Sequence, residues 1–122
     1  MTKADDHKLG VKGEKIAKKH LKGLGFKHLK SNYTTDVGEI DLIMQDDQTV
    51  VFVEVKTRSD ESFATGASAI NYGKQMRISK TAKLFIKKNA LQSYPCRFDA
   101  VIVIFQDNKP NITHYPNAFP LR

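Results

Sequence analysis

The run Val50-Val51-Phe52-Val53-Glu54-Val55-Lys56 constrains this chain more than any other stretch. Its start is apolar on both of the faces a strand presents, as expected of a central, covered strand. Yet Glu54 stands where a half-buried sheet would prefer an apolar group. Lys56, two residues on, points to the same side, because strand side chains alternate. A second strand reads from Gly38 to Met44, with Ile40, Leu42 and Met44 alternating against Glu39, Asp41 and Ile43. Asp46-Asp47-Gln48 makes the turn between them. So short a link predicts a hairpin, which sets Glu39 and Asp41 beside Glu54 and Lys56. Like charges crowded on a central strand cost stability unless a cation offsets them. A Mg²⁺-type ion does this, since it takes oxygen ligands, usually one or two carboxylates plus phosphate and water.

The remaining elements follow from periodicity. A helix is predicted from about Leu9 to Gly23, with Leu9, Ile16, Ala17, His20, Leu21 and Leu24 on one face and a row of lysines on the other. Gly23 and Gly25 end it. Phe26 to Tyr33 is a weak strand. A polar stretch from Arg58 to Ala69, containing Ser59, Asp60, Glu61, Ser62 and Gly66, is long for a connection in so small a domain, and such loops are often functional. A second helix is predicted from Tyr72 to Asn89, a buried strand from Phe98 to Phe105 and a short edge strand from Asn111 to Tyr115. The order is helix, three strands, helix, two strands. It predicts an α/β layer structure with a mixed central sheet flanked by helices. At 122 residues the chain reads as a single domain, 1–122, with residues 1–8 allowed for as a flexible tail.

Charge is distributed unevenly. The net charge is +7. Residues 1–30 hold nine lysines against three acids, residues 31–60 hold seven acids against two bases, and residues 61–90 hold six bases against one acid. A surface that only bound a polyanion would gain from being basic throughout. An acidic segment between two basic ones suits a metal site inside a frame that holds nucleic acid. No stretch approaches the ~20 apolar residues that span a bilayer, so no membrane partner is expected. The N-terminus shows no apolar signal core, and the lone Cys96 fits a reducing compartment, so a cytoplasmic location is expected. None of His7, His20, His28 and His114 stands at metal-ligand spacing, and Cys96 has no partner marking it as a nucleophile.

Spacing alone leaves two readings of the hairpin open: a metal site, or Glu54 and Lys56 as an exposed pair with Asp41 as a cross-strand partner. Asp41…Glu54-Val55-Lys56, after a helix carrying Glu14 and before one carrying Gln75, resembles the PD-(D/E)XK nuclease superfamily. More narrowly, Gly13-Glu14, Gly38-Glu39-Ile40-Asp41-Leu42-Ile43, Phe52-Val53-Glu54-Val55-Lys56-Thr57-Arg58 and Arg97-Phe98-Asp99-Ala100-Val101 resemble the YraN-like family of endonuclease-like proteins. The match covers nearly the whole chain. The family is similar to archaeal Holliday-junction resolvases. Ile40 stands where the superfamily's name has proline.

The resemblance implies a restriction-endonuclease-like core and a Mg²⁺- or Mn²⁺-dependent endonuclease. It implies DNA rather than RNA as substrate, with branched structures and a homodimer as options. Carried over by position, it implies that Asp41 and Glu54 hold the metal with the backbone carbonyl of Val55, and that Lys56 is the catalytic lysine. Glu14 would assist at metal or water; its alternative is an ion pair with Lys18 one turn on. Gln75 would reach the active site or else make a core hydrogen bond. Arg58, Lys74 and Arg77 would contact phosphate or remain solvated charges. Glu39 is a further ligand or an exposed strand residue. Two other classes stay open: a non-catalytic nucleic-acid-binding module on the same fold, and a scaffold protein whose lysines only keep it soluble.

Overall fold

A computed structural model of the chain describes residues 3–59 and 70–122. The chain runs α1 (Lys3–Gly23), β1 (Lys27–Thr35), β2 (Gly38–Asp46), β3 (Thr49–Arg58), α2 (Tyr72–Lys88), β4 (Cys96–Gln106) and β5 (Lys109–Phe119). The five strands form one sheet in sequence order. All neighbours pair antiparallel except β3 and β4, which are parallel. The exception follows from α2, since two parallel strands need a crossover long enough to hold a helix. The result is the expected mixed α/β arrangement, with β3 at the centre of the sheet.

The hairpins are written in local chemistry. Asp107 and Asn108 both take positive φ, at 51° and 61°, between the paired residues Gln106 and Lys109. Two left-handed residues in a two-residue turn match the twist of the flanking strands, and Asp and Asn tolerate that conformation. At the end of α1, Gly25 has φ 97° and the Phe26 amide donates to the Leu21 carbonyl at 3.1 Å, a closure that suits glycine. At the start of α2, the Asn71 side chain accepts from the Lys74 amide at 2.8 Å and caps the helix.

The sheet is covered differently on its two sides. On the α2 side, Ile43, Phe52, Phe98 and Phe119 of the sheet pack with Ile78 and Phe85 of the helix. Phe52, Phe98 and Phe119 stack across three strands with ring centroids 5.4 and 4.9 Å apart. On the α1 side, Ala17 and Leu21 of the helix pack with Leu42, Met44, Val53 and Val101 of the sheet. Val51 and Phe52 are both buried, as a covered central strand requires. Buried Asp99 fastens β4 to β5. Its oxygens accept from Arg97 Nε at 3.0 Å and the Asn117 amide at 2.9 Å, and His114 Nε2 lies 2.8 Å away. Burial alone would raise this carboxyl, but the bonds from His114 and Arg97 hold it below its usual range.

Four expectations are corrected. Helix α1 starts at Lys3, not Leu9, so the tail expected over residues 1–8 is helical from residue 3; an acid at position 5 favours the positive end of a helix. Leu24 is 56% exposed, because the helix ends one residue before it and its face no longer continues. Strand β5 is longer than Asn111 to Tyr115 and contains Pro110 and Pro116, which an edge strand accepts because only one side of it needs amide donors. Finally, Ile40 packs with Ile43 under α2, whereas Leu42 and Met44 pack against α1. The alternation expected of β2 therefore breaks between residues 40 and 43. The polar connection, at residues 60–69, lies outside the described residues.

Helix α1 sits unusually close to β3. A Cβ on Gly13 would overlap Thr57 Oγ1 and stand 2.8 Å from Thr57 Cγ2, whereas one on Gly10, a turn earlier, would meet nothing within 4 Å. Gly13→Ala should therefore cost about 1–3 kcal/mol by overpacking. Gly10→Ala should stabilise the helix by up to about 1 kcal/mol. Urea midpoints of the two variants check this, and equal effects would show that α1 does not press on Thr57.

Candidate active site

The end of the β2–β3 ladder makes the site. Pairing runs from Asp46↔Thr49 to Leu42↔Val53 and stops there. Beyond that point the Val55 amide finds Asp41 instead of a backbone carbonyl: Asp41 Oδ2 accepts from it at 2.8 Å. The Asp41 carboxyl also lies against that of Glu54. Glu54 is only 6% exposed, on the α2 side of β3. Two acids so close cannot both ionise cheaply. Burial, then the charge and hydrogen bond of Glu54, push Asp41 up to about 8, against the pull of the Val55 amide and Lys74.

Amines complete the cluster. Lys74 Nζ, reaching in from the first turn of α2, lies 3.1 Å from Glu54 Oε1. Its head also lies against the Lys56 amine. Burial, the charge of Lys74 and that contact hold Lys56 below the usual lysine range, although Glu54 pulls the other way. Lys74 also loses hydration, but Glu54 outweighs this and keeps its ammonium above the usual range. From the other side of the sheet, α1 brings Glu14. Burial and the Asp41 charge raise its carboxyl, against a hydrogen bond from the Asn32 side chain. Glu14, Asp41, Glu54, Lys56, Arg58 and Lys74 line a cleft of about 520 Å³. Side chains from both faces can meet there because the ladder has ended and the sheet is open. A recess of about 390 Å³ adjoins it, where Glu39 joins Glu14, Asp41 and Asn32.

The donor set fits a hard divalent cation. Its ligands would be oxygens, and Asp41 and Glu14 hold protons more tightly than usual, as buried carboxyls close to other acids do. Among the described residues no three His, Cys, Asp or Glu side chains converge closely enough to enclose an ion alone. Water or substrate oxygens would have to fill most of the shell, as Mg²⁺ commonly requires.

Other candidates fall elsewhere. Gln75 is a core residue: its Nε2 donates to the Ile70 carbonyl at 2.8 Å, and its Oε1 accepts from Arg122 at 2.8 and 3.2 Å. It is not among the described lining residues of the cleft; of its two readings, the core hydrogen bond is the one the structure shows. Arg77 lies one turn beyond Lys74, with its carbonyl and Cβ over Gly38, and is likewise absent from that lining. Arg58 does line the cleft, and its Nη1 donates to the Thr57 carbonyl at 2.8 Å. Val55 contributes its N–H to Asp41. Lys74 pairs with an acid rather than standing free for phosphate. Two features escaped sequence reasoning: the Lys74–Glu54 pair and Asn32 behind Glu14. Asn32 carries a local signal in its φ of 50°, but nothing in the sequence ties it to Glu14.

Comparison with known proteins extends these observations. The uncharacterised protein family UPF0102 matches residues 13–103, a span holding every residue of the cluster. The chain is similar to a UPF0102 protein of Alkaliphilus oremlandii, 41% identical over 114 residues, which cover 92% of the chain and 97% of the relative. A UPF0102 protein of Geotalea uraniireducens is 39% identical over 120 residues, 98% of the chain and 94% of the relative. Another, from Caldanaerobacter subterraneus subsp. tengcongensis, is 37% identical over 122 residues, 98% of the chain and 100% of the relative.

The raised Asp41 carboxyl has a signed consequence. Folding takes up a proton between the unfolded value of 3.8 and the folded value of about 8. Stability should therefore fall as pH rises through that window, by up to about 1.4 kcal/mol per pH unit for one proton. Asp41→Asn keeps the acceptor for Val55 and removes the titration. Its denaturation midpoint should exceed the parent's above pH 8, with the difference shrinking toward pH 4. Parallel midpoints at every pH would show that Asp41 is not held protonated.

Proposed function

Because the chain belongs to the uncharacterised UPF0102 family, the YraN-like group, its family assigns it no reaction, and we propose from the site that it is a metal-dependent endonuclease on a restriction-endonuclease-like core. One observation carries the reading: an acid pair, Asp41 and Glu54, meets the amine of Lys56 in a solvent-open cleft at the end of a covered strand. A stable hairpin gains nothing from that grouping. The acidic centre lies between segments rich in lysine, which suits a polyanionic substrate.

Asp41 and Glu54 would hold Mg²⁺ or Mn²⁺, with substrate and water oxygens completing the shell. When bound, the metal supplies a polarised phosphoryl oxygen and a water of lowered pKa. Lys56 holds an amine beside the attacked phosphate, and its lowered proton affinity suits it to orienting or taking a proton from the attacking water. Glu14 closes the cleft from the α1 side and can accept a proton there. Arg58 stands at the rim, where a guanidinium can engage phosphate. DNA, including branched DNA, is the substrate class this reading favours.

A second reading is a non-catalytic nucleic-acid-binding module. What favours it is Lys74, which already balances the Glu54 charge without a metal.

Labelled duplex, single-stranded and four-way DNA, incubated with Mg²⁺ or Mn²⁺ and with EDTA, separates the two. We expect metal-dependent cleavage that falls by at least about 10²-fold in Glu54→Ala and in Lys56→Ala. Cleavage surviving both substitutions would come from a contaminant. Salt-sensitive binding by the parent and by Asp41→Ala, with no cutting by either, would favour the module.

A further inference from the structure

We infer that Lys74 is a tethered stand-in for the divalent cation: it holds Glu54 in the resting site, and metal entry displaces it toward the phosphate of a bound nucleic acid. This rests on the endonuclease reading of the cleft and adds a state to it.

Lys74 sits in the first turn of α2, whose exposed amides make that end partially positive. An acid there would stabilise the helix, and a lysine opposes it. No acid occupies that turn. The position therefore costs helix stability, and the recovery comes from Glu54 Oε1, 3.1 Å from the ammonium. The same ammonium abuts a second amine, Lys56, a contact between like groups that only the neighbouring acids make tolerable. Lys74 thus supplies Glu54 with a counter-charge before any metal binds.

A divalent cation upsets that pairing. It brings two charges to Asp41 and Glu54, so at least one amine has to withdraw. The choice between them is set by contact: Lys74 is the amine that occupies a would-be ligand oxygen, Glu54 Oε1, at 3.1 Å. Lys74 hangs from a helix end by four methylenes and is 34% exposed. Its head can leave Glu54 by rotamer change alone. Arg58 and Ser59 line the same cleft, so the released ammonium stays near the rim where a phosphate would lie. The lysine would then serve twice, as counter-ion without metal and as phosphate contact with it.

Calorimetric titration of Mn²⁺ into the parent, Lys74→Met and Lys74→Arg tests this. Lys74→Met should bind the metal about fivefold more tightly, the equivalent of losing a half-exposed ion pair that competes for the same oxygen. Lys74→Arg should resemble the parent. Binding of a short DNA duplex in the presence of metal should move the opposite way and weaken in Lys74→Met. A lysine with only a structural role would not shift the two affinities in opposite directions. Should Lys74→Met fail to fold, Lys74→Gln provides the same comparison. Unchanged or weaker metal binding in the neutral variants would overturn the inference, and continued cleavage by the parent would leave the endonuclease reading standing. Absence of both metal binding and cleavage in every form would remove the two together.

Discussion

The site depends on one hydrogen bond. Strands β2 and β3 stop pairing at Leu42 and Val53, and the Val55 amide beyond them is taken by the side chain of Asp41. A covered strand cannot leave an amide unpaired without a substantial cost. The carboxyl that satisfies it is thereby fixed beside Glu54. Opening the ladder and assembling the acid pair are one event. The break in alternation at Ile40 and Ile43 belongs to the same divergence.

Around that point the protein manages charge rather than avoiding it. Asp41 lies against Glu54, Lys74 pairs with Glu54, and Lys56 abuts Lys74. Asp41, Lys56 and Lys74 each have their proton affinity moved by neighbours, and burial contributes to each shift. Such mutual perturbation of titratable groups in an open cleft is common at functional sites. Asp99 supplies the contrast within the same chain. It is more fully buried, yet Arg97, His114 and Asn117 satisfy it completely, and its carboxyl sits below its usual range. Asp99 stabilises the folded chain; Asp41 opposes its own ionisation.

The scaffold keeps this cluster in place from two directions. Gly13 lets α1 close onto Thr57, which sets Glu14 at the edge of the cleft. The stacked row of Phe52, Phe98 and Phe119 seats α2 over the sheet and so fixes the base from which Lys74 reaches. Gln75, next to Lys74, anchors that base to Arg122 near the C-terminus. One residue faces the cleft and its neighbour holds the helix.

What the sequence determined is what neighbours along the chain determine. Alternation and burial wrote β3, helical periodicity wrote α2, and Asp46-Asp47-Gln48 turned β2 back on β3, so Asp41 and Glu54 were legible as a pair. Membership of the family was legible too, in motifs that lie on those same elements. Contacts between distant segments were not. The Lys74–Glu54 pair spans twenty residues, Glu14 meets Asn32 across a helix–sheet interface, and Gln75 is held by a residue forty-seven positions away. In the sequence Lys74, Arg58 and Arg77 are equivalent cations. Only packing decided that Lys74 faces the acids, that Arg58 stands at the rim and that Arg77 covers Gly38. Local pattern fixes which face a side chain is on, but the partner it meets depends on how far one element slides over another.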